Sequence, residues 1–202
     1  MLVLVDGAHA LGAIDLNLEG LGADFYVSNA HKWLCNPKGA AFMYVTPLLQ
    51  KHILPLIISH GSGVGFLSDF IWTGAQDYAP MLTLPFVISI WKNYGIAFRQ
   101  YISELLSWAM DFLLKEWKTE LLAERSMYAT MATIRVPGSD AKYPEEHNDL
   151  QDALFFKHKI EVPIKRFGDA MYVRISVHIY NCKEDYMILS KAMLHLRLNS
   201  KI

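Results

Sequence analysis

An α/β fold is predicted from three observations. Apolar runs stop abruptly near ionisable residues: Val3-Leu4-Val5 ends at Asp6, and Phe25-Tyr26-Val27 runs out shortly before Asn29-Ala30-His31-Lys32-Trp33. Such runs read as buried parallel strands that deliver side chains at their carboxyl ends, where open α/β sheets bind ligands. A long amphipathic stretch then separates this part from a second region in which strand and helix patterns mix, the signature of an α+β module.

Met1 to Val5 and Phe25 to Ser28 are the first two strands, joined by a short helical crossover over Asn17 to Gly22. Ala40 to Val45 is a third strand, and Thr46-Pro47 opens a turn or helix, Pro being suited to a first helical position. His60-Gly61-Ser62-Gly63-Val64-Gly65 is a loop whose spacing does not match the GxGxxG of nucleotide loops. Asp77 caps a helix over Tyr78 to Tyr94, which Gly95 ends. Phe98, Tyr101, Ile102, Leu105, Leu106, Ala109, Phe112 and Leu113 recur at i, i+3, i+4 spacing, an amphipathic helix leading into the second domain. The domains are therefore expected at 1–95 and 96–202. In the second, Ala129 to Val136 and Tyr172 to Ile179 read as strands, Asp149 to His158 as a helix and Asp185 to Leu198 as a closing helix.

Lys, Arg, Asp and Glu are interspersed and the net charge is -1, so nothing marks a nucleic-acid surface. The apolar share is 52%, rich for a globular chain, yet the run Met81 to Trp91 is broken by Thr83, Pro85 and Ser89 and falls short of the ~20 residues of a bilayer span. Two cysteines, Cys35 and Cys182, make no CxxC pair, which favours a reducing, cytoplasmic setting. Cys35 either approaches the Lys32 site or is a small buried hydrophobe. No metal site is predicted.

An Asp and a Lys delivered by neighbouring strand ends suggest pyridoxal phosphate (PLP). That cofactor needs a lysine amine to form a Schiff base and a carboxylate against its pyridine nitrogen to keep the ring an electron sink. Five stretches carry a wider likeness: Asp6-Gly7-Ala8-His9-Ala10-Leu11-Gly12, Ala23-Asp24-Phe25-Tyr26, His31-Lys32-Trp33-Leu34-Cys35-Asn36-Pro37-Lys38-Gly39, and, downstream, Trp72-Thr73-Gly74-Ala75-Gln76-Asp77 and Val173-Arg174-Ile175-Ser176-Val177-His178-Ile179-Tyr180-Asn181. Together they resemble the class V aminotransferase family of PLP enzymes, in its isopenicillin N epimerase-like branch. The resemblance implies the C-terminal half of the fold type I (aspartate aminotransferase-like) large domain plus a small α+β C-terminal domain.

It also implies roles. Lys32 would carry the cofactor, Asp6 would hold its ring nitrogen, and His9 would stand beside the ring's phenolic oxygen. Asn29 and His31 would donate to the phosphate, with Ser28 a weaker candidate, and Thr73 would donate from the neighbouring subunit of a homodimer. Arg174, mid-strand among apolar neighbours, needs an anion. In the family that anion is the α-carboxylate of the substrate, for which a planar guanidinium is well shaped; the competing reading is an ion pair with Asp169. Epimerases and C–S lyases acting on small amino acids both occur in the branch. The family's upstream half, with its phosphate-gripping turn and ring-stacking residue, has no counterpart here. The expectation is thus an incomplete PLP enzyme, with a non-catalytic remnant acting by association as the alternative.

Overall fold

The computed structural model describes residues 1–138 and 146–199, and the chain divides into two compact units, Met1–Ile96 and Ala97–Ile202. The boundary falls inside a helix.

The first unit is built on a mixed sheet of β1 (Leu4–Asp6), β2 (Phe25–Asn29) and β3 (Ala41–Val45), in that order. β1 and β2 are parallel, with Leu4 opposite Phe25 and Asp6 opposite Val27, while β3 runs antiparallel, with Asn29 opposite Ala41. The crossover between β1 and β2 contains α1 (Leu18–Leu21), capped by Asn17, whose side chain accepts the Gly20 N–H. α1 ends at Gly22 in the left-handed region, φ 69°, a conformation that a Cβ would disfavour. Because the two strands are parallel, their carboxyl ends emerge at one end of the sheet. That places the loops after Asp6 and Asn29 side by side.

β1 departs from the expectation of a buried strand. It begins at Leu4, and Leu4 is 61% exposed. A strand becomes buried through its neighbours, and among the described residues β1 pairs on one side only, with β2. β2 itself alternates, with Tyr26 and Ser28 inside. After β3 come three single-turn helices, α2 (Pro47–Gln50), α3 (Phe66–Asp69) and α4 (Ala79–Leu82). The helix expected over Tyr78 to Tyr94 is divided at Thr83, and its N-cap is Tyr78, one residue later than expected; Asp77 stands before it, its carboxylate accepting the Ala79 N–H at 2.9 Å.

α5 runs from Leu84 to Trp117 without a stop at Gly95. An interior glycine costs only about 1 kcal/mol relative to alanine, less than the packing of the turns that follow provides. Ile102, Leu106, Ala109 and Leu113 are at most 2% exposed, and fully burying a side chain of this size contributes about 1.5–3 kcal/mol.

In the second unit α5 packs with an antiparallel sheet ordered β4 (Met131–Arg135), β6 (Ala170–Ser176), β5 (Ile164–Phe167), and with α6 (Glu146–His158) and α7 (Lys183–Asn199). β5 was not predicted: its sequence Ile-Lys-Arg-Phe buries only Ile164, so it carries too little apolar pattern to be seen. From Met171 onward β6 alternates, with Met171, Val173 and Ile175 inside and Arg174 and Ser176 outside. It ends three residues earlier than the sequence suggests, and a tight turn takes its place.

Candidate active site

The loops that follow Asp6 and Asn29 meet. Asp6 closes an Asx turn by accepting the Ala8 N–H at 3.0 Å, and Gly7 N–H continues the sheet bonding to Val27 O at 2.8 Å. Gly7 cannot carry a side chain there, because a Cβ would stand 1.9 Å from Cζ and Oη of Tyr26. Ser28 Oγ donates to Gly7 O at 2.9 Å, so this buried hydroxyl braces the loop and is not a free phosphate donor. Burial also raises the Tyr26 phenol above the usual tyrosine range.

Three of the expected site residues come together here. Lys32 Nζ lies 3.3 Å from His9 Nε2, and Asn29 Nδ2 reaches Ala8 O, the residue before His9, at 3.4 Å. His9 rests against Trp33 with ring centroids 6.1 Å apart. Asp6 stands at the root of the same loop. Asn29 Oδ1 and His31 Nδ1 are buried and have no hydrogen-bond partner among the described residues. A buried polar atom left unpaired costs on the order of 1–3 kcal/mol, which a ligand's hydrogen bond recovers.

Cys35 overturns the buried-hydrophobe reading. It is exposed, its backbone is left-handed at φ 61°, and partial shielding of the thiol raises its pKa. Thr73 is exposed and bonds to none of the other site residues among those described. It follows a compact loop closed by His60 N–H to Trp72 O at 2.9 Å and by stacking of those two rings, centroids 4.5 Å apart.

Arg174 belongs to the second unit and corrects another expectation. Strand alternation puts it on the exposed face of β6, and it makes no ion pair among the described residues; Asp169 pairs with Arg166 instead, at 3.6 Å. The guanidinium is therefore not an isolated buried charge. It lines a cavity of about 260 Å³ together with Glu161, Ser176, Tyr180 and Asn181. Sequence reading passed over Tyr180, although it falls in the same motif as Arg174.

Residues 1–189 match the model of aminotransferase class V. The chain belongs to the class V aminotransferase family. It is 32% identical over 208 residues to a probable chloroplastic L-cysteine desulfhydrase of Arabidopsis thaliana, covering 95% of this chain and 43% of that protein. Isopenicillin N epimerase of Amycolatopsis lactamdurans is 26% identical, over 97% of this chain and 52% of its own length. The chain thus spans about half the length of the curated relatives it matches. Among solved structures, the apo cysteine desulfurase of Thermococcus onnurineus NA1 superposes with a TM-score of 0.73 at 22% identity, covering 96% of this chain and 52% of that one. This class V chain therefore has, over nearly its whole length, the α/β architecture of about half of a chain of the fold type I transferases, a family of PLP-dependent enzymes.

The residues present fit that cofactor. PLP brings an aldehyde, a basic ring nitrogen and a phosphate dianion, which call for an amine, a carboxylate and several donors respectively. Lys32 would supply the amine. The Asp6 carboxylate has one oxygen already fixed by Ala8 N–H. His31 Nδ1 is an unsatisfied buried nitrogen, whereas the Asn29 amide would offer the phosphate its Nδ2 only by releasing Ala8 O, which that group now holds at 3.4 Å.

Proposed function

We propose that this chain is the cofactor- and substrate-binding part of a PLP-dependent enzyme that acts at the α- or β-carbon of a small amino acid, as a C–S lyase or an epimerase. When bound, PLP would stabilise negative charge at the substrate α-carbon. Lys32 would hold the cofactor and move the α-proton through Nζ. His9, 3.3 Å from that amine, would orient it and exchange a proton with it. Asp6 would keep the ring nitrogen protonated. Asn29 and His31 would hold the phosphate, joined by Thr73 of a second subunit in a homodimer with shared sites. Arg174, with no ion pair of its own among the described residues, would hold the substrate carboxylate.

Residues 1–95 would then be part of the cofactor-binding large domain and 96–202 the small domain. Relatives named as a cysteine desulfhydrase and an epimerase support this pair of activities. No helix among the described residues is long and apolar enough to cross a membrane, and two free cysteines fit action in the cytoplasm.

The observation that carries the reading is the Lys32–His9 contact beside two unsatisfied buried polar atoms. Borohydride reduction of the PLP-treated protein followed by peptide mapping should place the phosphopyridoxyl group on Lys32. Recovery of the label on Lys38 or another lysine would sink the assignment.

A further inference from the structure

The turn after β6 spends its polar groups on holding itself. Val177 N–H donates to Thr130 O at 2.8 Å, and Asn181 N–H donates to His178 O at 3.0 Å. His178 N–H donates to Asn181 Oδ1 at 3.0 Å, and Ile179 N–H donates to His178 Nδ1 at 2.8 Å. Asn181 Nδ2 and Cys182 N–H both donate to Asp185 Oδ2, at 3.0 and 3.1 Å, and Tyr101 Oη donates to Asn181 O at 2.7 Å. Each residue fixed this way gives up backbone entropy, and the turn holds out a side chain that stays largely exposed.

That side chain is Tyr180. It is 76% exposed, its ring lies flat on buried His178, with centroids 4.6 Å and planes 8° apart, and its phenol has no hydrogen-bond partner among the described residues. Stacking on His178 orders the ring while most of its area stays open to a ligand. Tyr180 and Arg174 line the same cavity. The cation can anchor an acid group, the Asp185 carboxylate of the same cavity being engaged by Asn181 and Cys182, and Tyr180 belongs to the same wall.

We propose that Tyr180 is a specificity-determining residue of the Arg174 pocket: its ring, braced on His178, is the wall that limits the side chain of an α-amino acid anchored through its carboxylate on Arg174. This rests on Arg174 being the carboxylate anchor. The ring, and not the phenol, sets the limit; removing it uncovers one face of His178.

The test is titration of the full chain with L-alanine and with L-leucine, followed by NMR chemical shifts, so that it does not depend on turnover. The unaltered chain should prefer L-alanine at least threefold. Tyr180→Phe should keep that ratio within twofold, and Tyr180→Ala should move it about tenfold towards L-leucine in a chain that circular dichroism shows to be folded. Arg174→Ala should weaken both amino acids. If Arg174→Ala weakens both while Tyr180→Ala leaves the ratio unchanged, the wall is disproved and the anchor stands. If Arg174→Ala changes neither affinity, or the unaltered chain binds neither amino acid, anchor and wall both fail.

Discussion

Gly7→Ala is expected to destabilise the first unit by about 1–3 kcal/mol, the usual range for overpacking a filled site. The added Cβ would lie 1.9 Å from Cζ and Oη of Tyr26, and relaxing it to an ordinary carbon contact near 3.5 Å requires a movement of about 1.6 Å. Neither side has that room. Tyr26 is 1% exposed, and Gly7 is pinned by its N–H to Val27 O at 2.8 Å and by Ser28 Oγ on its carbonyl at 2.9 Å. The loop must therefore shift as a body, carrying Asp6 and His9 with it and opening the 3.3 Å contact between His9 and Lys32. Urea unfolding followed by tryptophan fluorescence gives the stability change, and PLP titration gives the loss of cofactor affinity that should accompany it. Combining Gly7→Ala with Tyr26→Leu removes the obstructing ring, so the pair should cost less than the sum of its parts. Strict additivity, or a loss below about 0.5 kcal/mol for Gly7→Ala alone, would refute the close approach as the reason for glycine here.

Arg174→Ala should weaken amino-acid binding by about 1.5–3 kcal/mol, the worth of a hydrogen bond to a charged group, while PLP affinity measured by absorbance stays the same; the reverse pattern would move this residue to the cofactor. Mixed Lys32→Ala and Thr73→Ala chains should recover a minority of PLP sites if these are shared across a dimer, and dimers that form with no recovery would exclude sharing. Burial raises the phenols of Tyr26 and Tyr186, so the folded state holds these protons more tightly than the unfolded chain, whose tyrosines titrate near ~10. Their contribution is fully present below that pH and is lost as pH rises through the raised folded values. Chemical-denaturation midpoints should therefore fall above about pH 10, and more gently in Tyr186→Phe; a flat alkaline limb would contradict this.

Elements with a strong period were legible from sequence. α5 announced itself through Ile102, Leu106, Ala109 and Leu113, all of which are buried. Its length was not, because Gly95 reads locally as a stop whereas helix continuity is decided by packing on either side. β5 was invisible for the opposite reason: a strand with one buried residue owes its existence to its hydrogen bonds with β6, from Ile164–Val173 to Phe167–Ala170, and such pairing leaves no mark in composition. β1 looked like a buried strand because Val-Leu-Val is apolar. Apolarity says what a segment tolerates, and exposure of Leu4 shows that burial depends on what lies against it.

The same distinction governs the site. Lys32 stands out in a motif, but its contact with His9 at 3.3 Å and the brace from Ser28 Oγ to Gly7 O that holds the neighbouring loop come from the parallel register of β1 and β2 and cannot be read from either segment alone. For Arg174 the sequence held a signal that was misjudged. Met171, Val173, Ile175 and Val177 alternate with Tyr172, Arg174, Ser176 and His178, a period of two that turns Arg174 away from the apolar set. Reading its neighbours as its surroundings made it a buried cation in need of rescue. Reading the alternation makes it a cation facing outwards from a rigid strand, free of ion pairs among the described residues and sharing a cavity with a fixed aromatic ring. A group placed that way needs no anion for the fold to be stable, and so it is free to take one from a ligand.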